Sequence, residues 1–450
     1  MISIRSPGRE GEHSNVKIKA LAFVLTAALL LCGCGQKGET AAAAPAQAVT
    51  APAAQSGMAR PVSTGVTPEQ FGAKGDGIAD DLQALQAAMQ QASASGRPLE
   101  LTAGAVYRFS SCLGLSSGLT IRGNGAVLLS DIQYHDLKED RVAVELMKDS
   151  DDDRAHDVRL ENVTFRAADR CQANYMLRVM LARNVEFVGC TFDCEPNEWG
   201  RCAADLYGGN ENIRFEGCVF RQMTSGASGG IWVRNWTDRV ESRNIRFQNC
   251  EFYKSGADEL LAVWGWGGAV RDVVLSGCSF YETQTQEALD ADHCPAWFIT
   301  LGQSGTTDVR MEDCTVRAEY CETIFRMVGD KTRAVVDNCD ITMKQPDSMA
   351  EHDMKKGANP MLARGNDRAD GSTVIQNSRI TLSGDNGRRI CYQLSALKGN
   401  TLDVSLGCGI ASTKEVSGNT IRGRIRHKVF QDCSGVENNN VDVRRFSILG

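Results

Sequence analysis

A nine-residue phrase recurs from residue 157 towards the C-terminus, and it restricts the folds open to this chain more than any other feature. It reads DVRLENVTF (157–165), NVEFVGCTF (184–192), NIRFEGCVF (212–220), NIRFQNCEF (244–252), DVVLSGCSF (272–280) and DVRMEDCTV (308–316). Weaker copies follow at 333–341 and 372–380, then shortened ones at LKGNTL (397–402), VSGNTI (416–421) and VENNNV (436–441). Positions two, four, seven and nine are apolar or Cys, whereas one, three, five and eight are mostly polar. Period-two alternation places these sets on opposite faces of a strand. It is broken once, at position six, where Gly, Asn or Asp usually stands and tolerates φ > 0. Each phrase therefore predicts two short strands joined by a sharp corner. Successive ninth positions lie 19 to 39 residues apart, the length of one solenoid coil with variable loops. Such a unit cannot bury its own apolar face and must stack on its neighbours. A leucine-rich repeat would need a stricter period and a Leu/Asn consensus, and neither is present.

The first thirty-odd residues read as an export signal. Lys17 and Lys19 precede an apolar run, Ala20 to Leu31, that is too short to span a bilayer. It leads into Leu31-Cys32-Gly33-Cys34, which resembles a bacterial lipobox, with cleavage after Gly33 and lipidation of Cys34. With Gly35 rather than Asp at the next position, the resemblance to proteobacterial lipoproteins implies outer-membrane sorting, with the periplasmic or surface face left open. Residues 34–64, rich in Ala, Pro, Gln and Ser, read as a flexible tether. The expected division is thus a signal over 1–33, a tether over 34–64 and one elongated domain over 65–450, since a solenoid of that length need not split.

The net charge of −7, without a basic run, argues against nucleic acid as a partner. Of the 17 cysteines, Cys190, Cys218, Cys250, Cys278, Cys314 and Cys339 occupy position seven of successive phrases. Stacking aligns their side chains in parallel, a poor geometry for disulfides, so they read as small buried hydrophobes. Cys171, Cys194, Cys202, Cys294 and Cys321 fall in or near the inter-phrase segments and are the expected disulfide candidates of an exported protein. No Cys/His spacing suggests zinc.

Upstream of the phrases, FGAKGDGIADDLQALQAAMQQA (71–92) places a turn at Gly75-Asp76-Gly77 and an N-cap at Asp80 or Asp81. Leu82, Leu85, Ala88 and Met89 then form one apolar stripe. A helix here would close the open end of the solenoid. Together with IRGNG (121–125) and the stacked phrases, this segment resembles the pectate-lyase-like superfamily over about residues 66–445. The resemblance implies an all-β, right-handed parallel β-helix with an N-terminal capping helix. It says little about activity, because the FGAKGDG segment is a cap and supplies no catalytic group.

The resemblance also implies a working groove along one sheet. A third strand can be traced in each coil: ADLYGG (204–209), GGIWVRN (229–235), ELLAVWGWGG (259–268), AWFITLG (296–302), TIFRMVG (323–329) and MLARGN (361–366). Asp205, Tyr207, Trp232, Arg234, Trp264, Trp266 and Arg326 are the expected outward residues. Aromatic rings flanked by Arg and acids suit a sugar-binding groove, with Tyr207, Trp232, Trp264 and Trp266 as stacking surfaces. Asp258-Glu259 partly resembles the Gly-Asp-Asp-Cys stretch of polygalacturonase-type hydrolases, but the flanking Asn-Thr-Asp and Gly-His-Gly are missing. Lyase chemistry would need a base and a cation or Ca²⁺, for which Arg234, Arg326 and Lys254 stand available, with Asp205 and Glu259 as possible Ca²⁺ ligands. Asp290, Asp292 and His293 only partly match an epimerase motif, and the acidic run from Asp149 to Asp153 lacks EF-hand spacing. Arg159/Glu161, Arg214/Glu216 and Arg310/Glu312 read as a surface charge ladder.

The expectation is an exported, lipid-anchored carbohydrate-active protein that cleaves an extended acidic polysaccharide. Asp205, Arg234, Asp258, Glu259 and Arg326 would be its groove residues, and Asp258 or Glu259 its acid/base. The alternative is a non-catalytic glycan-binding or adhesin-like envelope protein.

Overall fold

The structure is a computed structural model that describes residues 65–133, 142–147, 154–194, 202–221, 230–235, 240–254, 259–282, 297–319, 321–345, 360–366, 370–384 and 388–445. Cys34, the leader, the tether, the Asp149–Asp153 run, Asp258, Cys294 and the Asp290–His293 stretch lie outside these residues, as does the side chain of Lys254.

Three parallel ladders wind into a right-handed β-helix. The first half of each phrase forms the first ladder, for example Ala155–Glu161, Ala182–Val188, Glu211–Glu216 and Ser242–Gln248. The second half forms the second ladder, a sheet of fourteen strands that includes Thr164–Ala167, Thr191–Asp193 and Val219–Arg221. After the variable loop, the third ladder runs through Val142–Met147, Tyr175–Met180, Cys202–Tyr207 and Ile231–Arg234. It continues through the first parts of Leu261–Ser276 and Trp297–Glu312 to Thr323–Arg326, Ala363–Arg364 and Cys391–Tyr392.

The phrase sets the register. Phe165, Phe192, Phe220, Phe252 and Phe280, all at position nine, are successive Cα partners in the second ladder. Their rings stack with centroids 4.5–5.1 Å apart, the rise of one coil. Phe187, Phe215 and Phe247, at position four, form a second stack that meets the first edge-on. Position six adopts a left-handed backbone in every copy, from Asn162 and Gly189 to Gly418 and Asn438, with φ between +51° and +65°.

Two features were not read from the sequence. Position one is also left-handed at Asp157, Asn184, Asn212, Asn244 and Asp272 (φ +51° to +58°), which bends the chain as it enters the first ladder. There the amide of Asn184 donates to Asp157, that of Asn212 to Asn184 and that of Asn244 to Asn212, at 2.5–3.0 Å. Position seven has a shared task as well. The thiols of Cys218, Cys250 and Cys278 donate to the position-four carbonyls of the preceding coil (Phe187, Phe215, Phe247) at 3.3–3.5 Å. In the last coils Asn400, Asn419 and Asn439 make the same bond through Nδ2, at 2.7–3.0 Å. The cysteine column thus consists of small buried side chains that also satisfy a backbone acceptor.

The expected disulfides are not formed among the described residues. Cys171, Cys194 and Cys202 are free and buried, with Cys171 beside the Ser130 hydroxyl at 3.4 Å, and Cys321 is buried as well. Cys202 begins a strand of the stack, and the other three lie in connecting segments with their side chains buried. The capping helix spans Leu82–Ser95 and buries Leu82, Leu85, Ala88 and Met89. Asp81 holds the N-cap position, but its carboxylate turns back to accept the Lys74 and Gly75 amides at 2.7 and 3.0 Å. The leading FGAKGDG turn is therefore fastened to the helix start, and the Asp80 carboxylate accepts the Leu82 amide at 3.2 Å. The charge ladder is compensated across coils: Arg159 pairs with Glu161 and Glu186, and Arg214 with Glu186 and Glu216.

Candidate functional site

Along the third ladder, residues of one parity enter the core: Leu177 and Val179, Ala204 and Leu206, Ile231 and Val233, Leu261 and Val263. The other parity faces away from it. Glu145, Arg178, Asp205, Trp232, Ala262, Thr300, Arg326, Arg364, Tyr392 and Ala411 are successive Cα partners, one per coil. Beside them Tyr207, Arg234 and Trp264 form a second outward column. Because neighbouring coils are only about 4.8 Å apart, residues remote in sequence become side-by-side neighbours here.

The N-terminal part of this face is an aromatic cluster around an ion triad. Asp205 has no exposed surface. Arg234 grips it in a bidentate pair, Nε to Oδ1 and a terminal nitrogen to Oδ2, both at 2.8 Å, while Arg178 Nε reaches Oδ2 at 3.2 Å. Burial pulls the Arg234 guanidinium down, but the hydrogen bonds and charge of Asp205 outweigh it and hold the group above the ordinary arginine value. The guanidinium of Arg234 lies 4.3 Å from the Trp232 ring and 5.0 Å from Tyr207, and that of Arg178 lies 4.3 Å from Tyr175. Tyr175, Cys202, Trp232 and Ala262 form a small apolar cluster of their own, separate from the main core, with Trp264 packed against it. From there an aromatic path leads outward, Trp232 to Trp264 at 5.4 Å and Trp264 to Trp266 at 6.4 Å.

Trp266 ends that path at 58% exposure. It stands where the third and first ladders run on as one strand, on Gly265-Trp266-Gly267-Gly268. Gly265 and Gly305 are Cα partners, and a Cβ on Gly305 would strike the Gly265 carbonyl, so the flattened corner requires both glycines. The ring lines a shallow concavity of about 300 Å³ shared with Thr306, Asp330 and Lys331.

Further along, Glu259 is mostly buried, at 8% exposure. It accepts a bond from the Thr300 hydroxyl at 2.7 Å and pairs with Arg326 at 3.7 Å. Arg326 lies 4.9 Å from the Trp297 ring, and its Nε is buried without a hydrogen-bond partner. Burial lowers its pKa; Glu259 pulls it back up, and neighbouring Arg364 pushes it down again.

The expected residues thus divide into an ion-locked aromatic group (Asp205, Tyr207, Trp232, Arg234, Trp264), an exposed ring (Trp266) and a carboxylate–arginine pair (Glu259, Arg326). Asp205 and Glu259 belong to different parts of the face. Among the described residues no three acidic, His or Cys side chains converge as a metal site. Asp205, expected as a catalytic groove residue or Ca²⁺ ligand, is instead enclosed by two guanidinium groups. Tyr175, Arg178, Thr300 and Tyr392 were not read as part of this face. A single outward charge in the alternating segment YMLRVM (175–180) was the available signal for Arg178.

A family model described as rhamnogalacturonase A/epimerase, pectate lyase-like, matches residues 66–280. No curated protein sequence matches the chain. Among solved structures, pre-mature bacteriophage phi29 gene product 12 is similar at TM-score 0.50 and 13% identity, over 85% of this chain and 57% of that one. Geobacillus virus E2 ORF18 is similar at TM-score 0.44 and 14% identity, over 83% of this chain and 60% of that one. PfbA, a surface adhesin of Streptococcus pneumoniae, is similar at TM-score 0.44 and 15% identity, over 82% and 91%. The chain therefore spans less than two thirds of either viral protein, and at these identities the likeness concerns the fold alone.

Proposed function

This chain belongs to the pectate-lyase-like β-helix proteins, and from that premise we propose that its third ladder binds an extended polysaccharide and cleaves it by β-elimination. The observation that carries the reading is the outward column itself, in which Arg178, Trp232, Arg326, Arg364 and Tyr392 set guanidinium groups and rings along one line of coils. Rings stack on sugar faces, and arginines neutralise carboxylates. A glycoside hydrolase requires two carboxylates flanking the scissile bond. The two candidates described here do not make such a pair, since Asp205 is locked in its triad and Glu259 stands apart beside Arg326. Elimination requires a base for the proton α to a uronate carboxylate and a cation to hold the charge that develops. Glu259 serves as the base in this reading and Arg326 as the cation, while Trp266 and Trp297 hold the sugars. Cys34 anchors the protein to the outer membrane through its lipid and the tether.

Incubation of the protein with neutral and acidic polysaccharides, followed for reducing ends and for ultraviolet absorbance, tests this. Both signals together support the lyase. Reducing ends without absorbance would mean hydrolysis. Binding without either signal would establish the second reading, a non-catalytic glycan binder, which the sealed Asp205 triad favours because its charges are spent on one another.

A further inference from the structure

We infer that the last coils of the third ladder carry a second oxyanion site, distinct from the Glu259–Arg326 pair, that takes a carboxylate or sulfate group. A cavity of about 460 Å³ opens there, lined by Arg364, Arg389, Tyr392, Ser412, Gln431 and Asp432. It extends over four coils, since Arg364, Tyr392, Ala411 and Gln431 are successive Cα partners. Among its described lining residues two guanidinium groups face one carboxylate. Arg389 Nε is buried and has no hydrogen-bond partner, while its guanidinium lies 5.8 Å from the Tyr392 ring. A buried donor without an acceptor is costly unless a ligand supplies one. Arg364 is the Cα partner of Arg326, and each guanidinium therefore sits in the other's field. A planar guanidinium matches a carboxylate or sulfate in bidentate fashion, and the Tyr392 ring offers an apolar face to the sugar that bears it. The small side chains of Ala411 and Ser412 leave the space open.

That the oxyanion belongs to a polysaccharide rests on the function proposed above; that the cavity binds an oxyanion does not. The full-length protein and R364Q/R389Q are titrated with sodium sulfate, against sodium chloride at equal ionic strength, and thermal midpoints are read. Sulfate should raise the midpoint of the native protein and leave that of the variant unchanged. Equal responses would overturn the site. In a second arm, affinity is measured for dextran sulfate against dextran, and for polygalacturonate against its methyl ester. The variant should lose about tenfold for the charged member of one pair and nothing for the neutral members. Loss for dextran sulfate alone assigns a sulfate ester, and loss for polygalacturonate alone assigns a uronate. Undiminished binding of both charged polymers by the variant would overturn the site while leaving the polysaccharide reading intact. A sulfate response without binding of any polymer would do the reverse. Retention of the far-ultraviolet circular dichroism spectrum shows that the variant is folded.

Discussion

Two acidic residues on the same ladder have opposite physical situations, and their substitutions should separate accordingly. Removing the charge of Asp205 leaves two buried guanidinium groups without their anion. Asp205→Asn should therefore cost about 3–5 kcal/mol in chemical denaturation. Glu259 pairs with Arg326 at 3.7 Å, a longer contact than the 2.8 Å bonds between Arg234 and Asp205. Glu259→Gln should lower cleavage by about 10²–10⁴-fold while the denaturation midpoint stays close to native. A stable, inactive Asp205→Asn variant would return Asp205 to the site. The tryptophans divide similarly. Trp264 packs on the apolar cluster, and its loss should cost about 3 kcal/mol of stability. Trp266 is exposed, so Trp266→Ala should change stability by less than about 0.5 kcal/mol. Its cost should fall on polysaccharide affinity, about tenfold by calorimetry or affinity electrophoresis.

Corners are the element whose cost can be compared between coils. Gly217 and Gly277 occupy the same phrase position at φ +58° and +62°. A Cβ on Gly217 would meet nothing, whereas one on Gly277 would run into the Asn249 side chain. Gly217→Ala should cost only the left-handed backbone penalty of about 1–2 kcal/mol. Gly277→Ala should cost measurably more in the same denaturation assay, because Asn249 must move. Position six was legible in the sequence because residues that tolerate φ > 0 stood there in copy after copy. Position one showed the same residue types, but its bend lies inside a run of alternating polarity and so reads as an ordinary polar strand position.

At the scale of the whole molecule, the solenoid is held at one end by its cap and, in the function proposed, to a membrane by its lipid. In the cap the Tyr107 hydroxyl donates to Glu69 at 2.5 Å. Burial, with the Glu69 hydrogen bond, pushes the tyrosine pKa from 10 up to about 12. A raised folded-state value means that this contribution to stability is complete below pH 10 and is lost as pH rises from 10 to about 12. Tyr107→Phe should flatten that alkaline decline in denaturation experiments run across the interval. For the proposed anchor, Cys34→Ala should abolish incorporation of labelled fatty acid and shift the protein from the membrane to the soluble fraction. Retention in the membrane without lipid would remove the anchor from the proposal.

What the sequence determined by itself is the winding: strand, corner, strand, and the in-register stacking of coils. Those follow from local alternation and from backbone tolerance at single positions, both of which are written in adjacent residues. The capping helix was legible for the same reason, through its apolar stripe. The site was legible only as a set of names. Arg178, Asp205 and Arg234 lie in three different coils, as do Glu259, Thr300 and Arg326, and loops of unequal length separate them. Only parallel pairing at one coil per step brings each set together, and only burial decides that Asp205 is neutralised within the fold while Arg389 keeps an unsatisfied donor beside an open cavity. Charge compensation and exposure are properties of neighbours in space, and this fold draws those neighbours from segments that the linear order keeps apart.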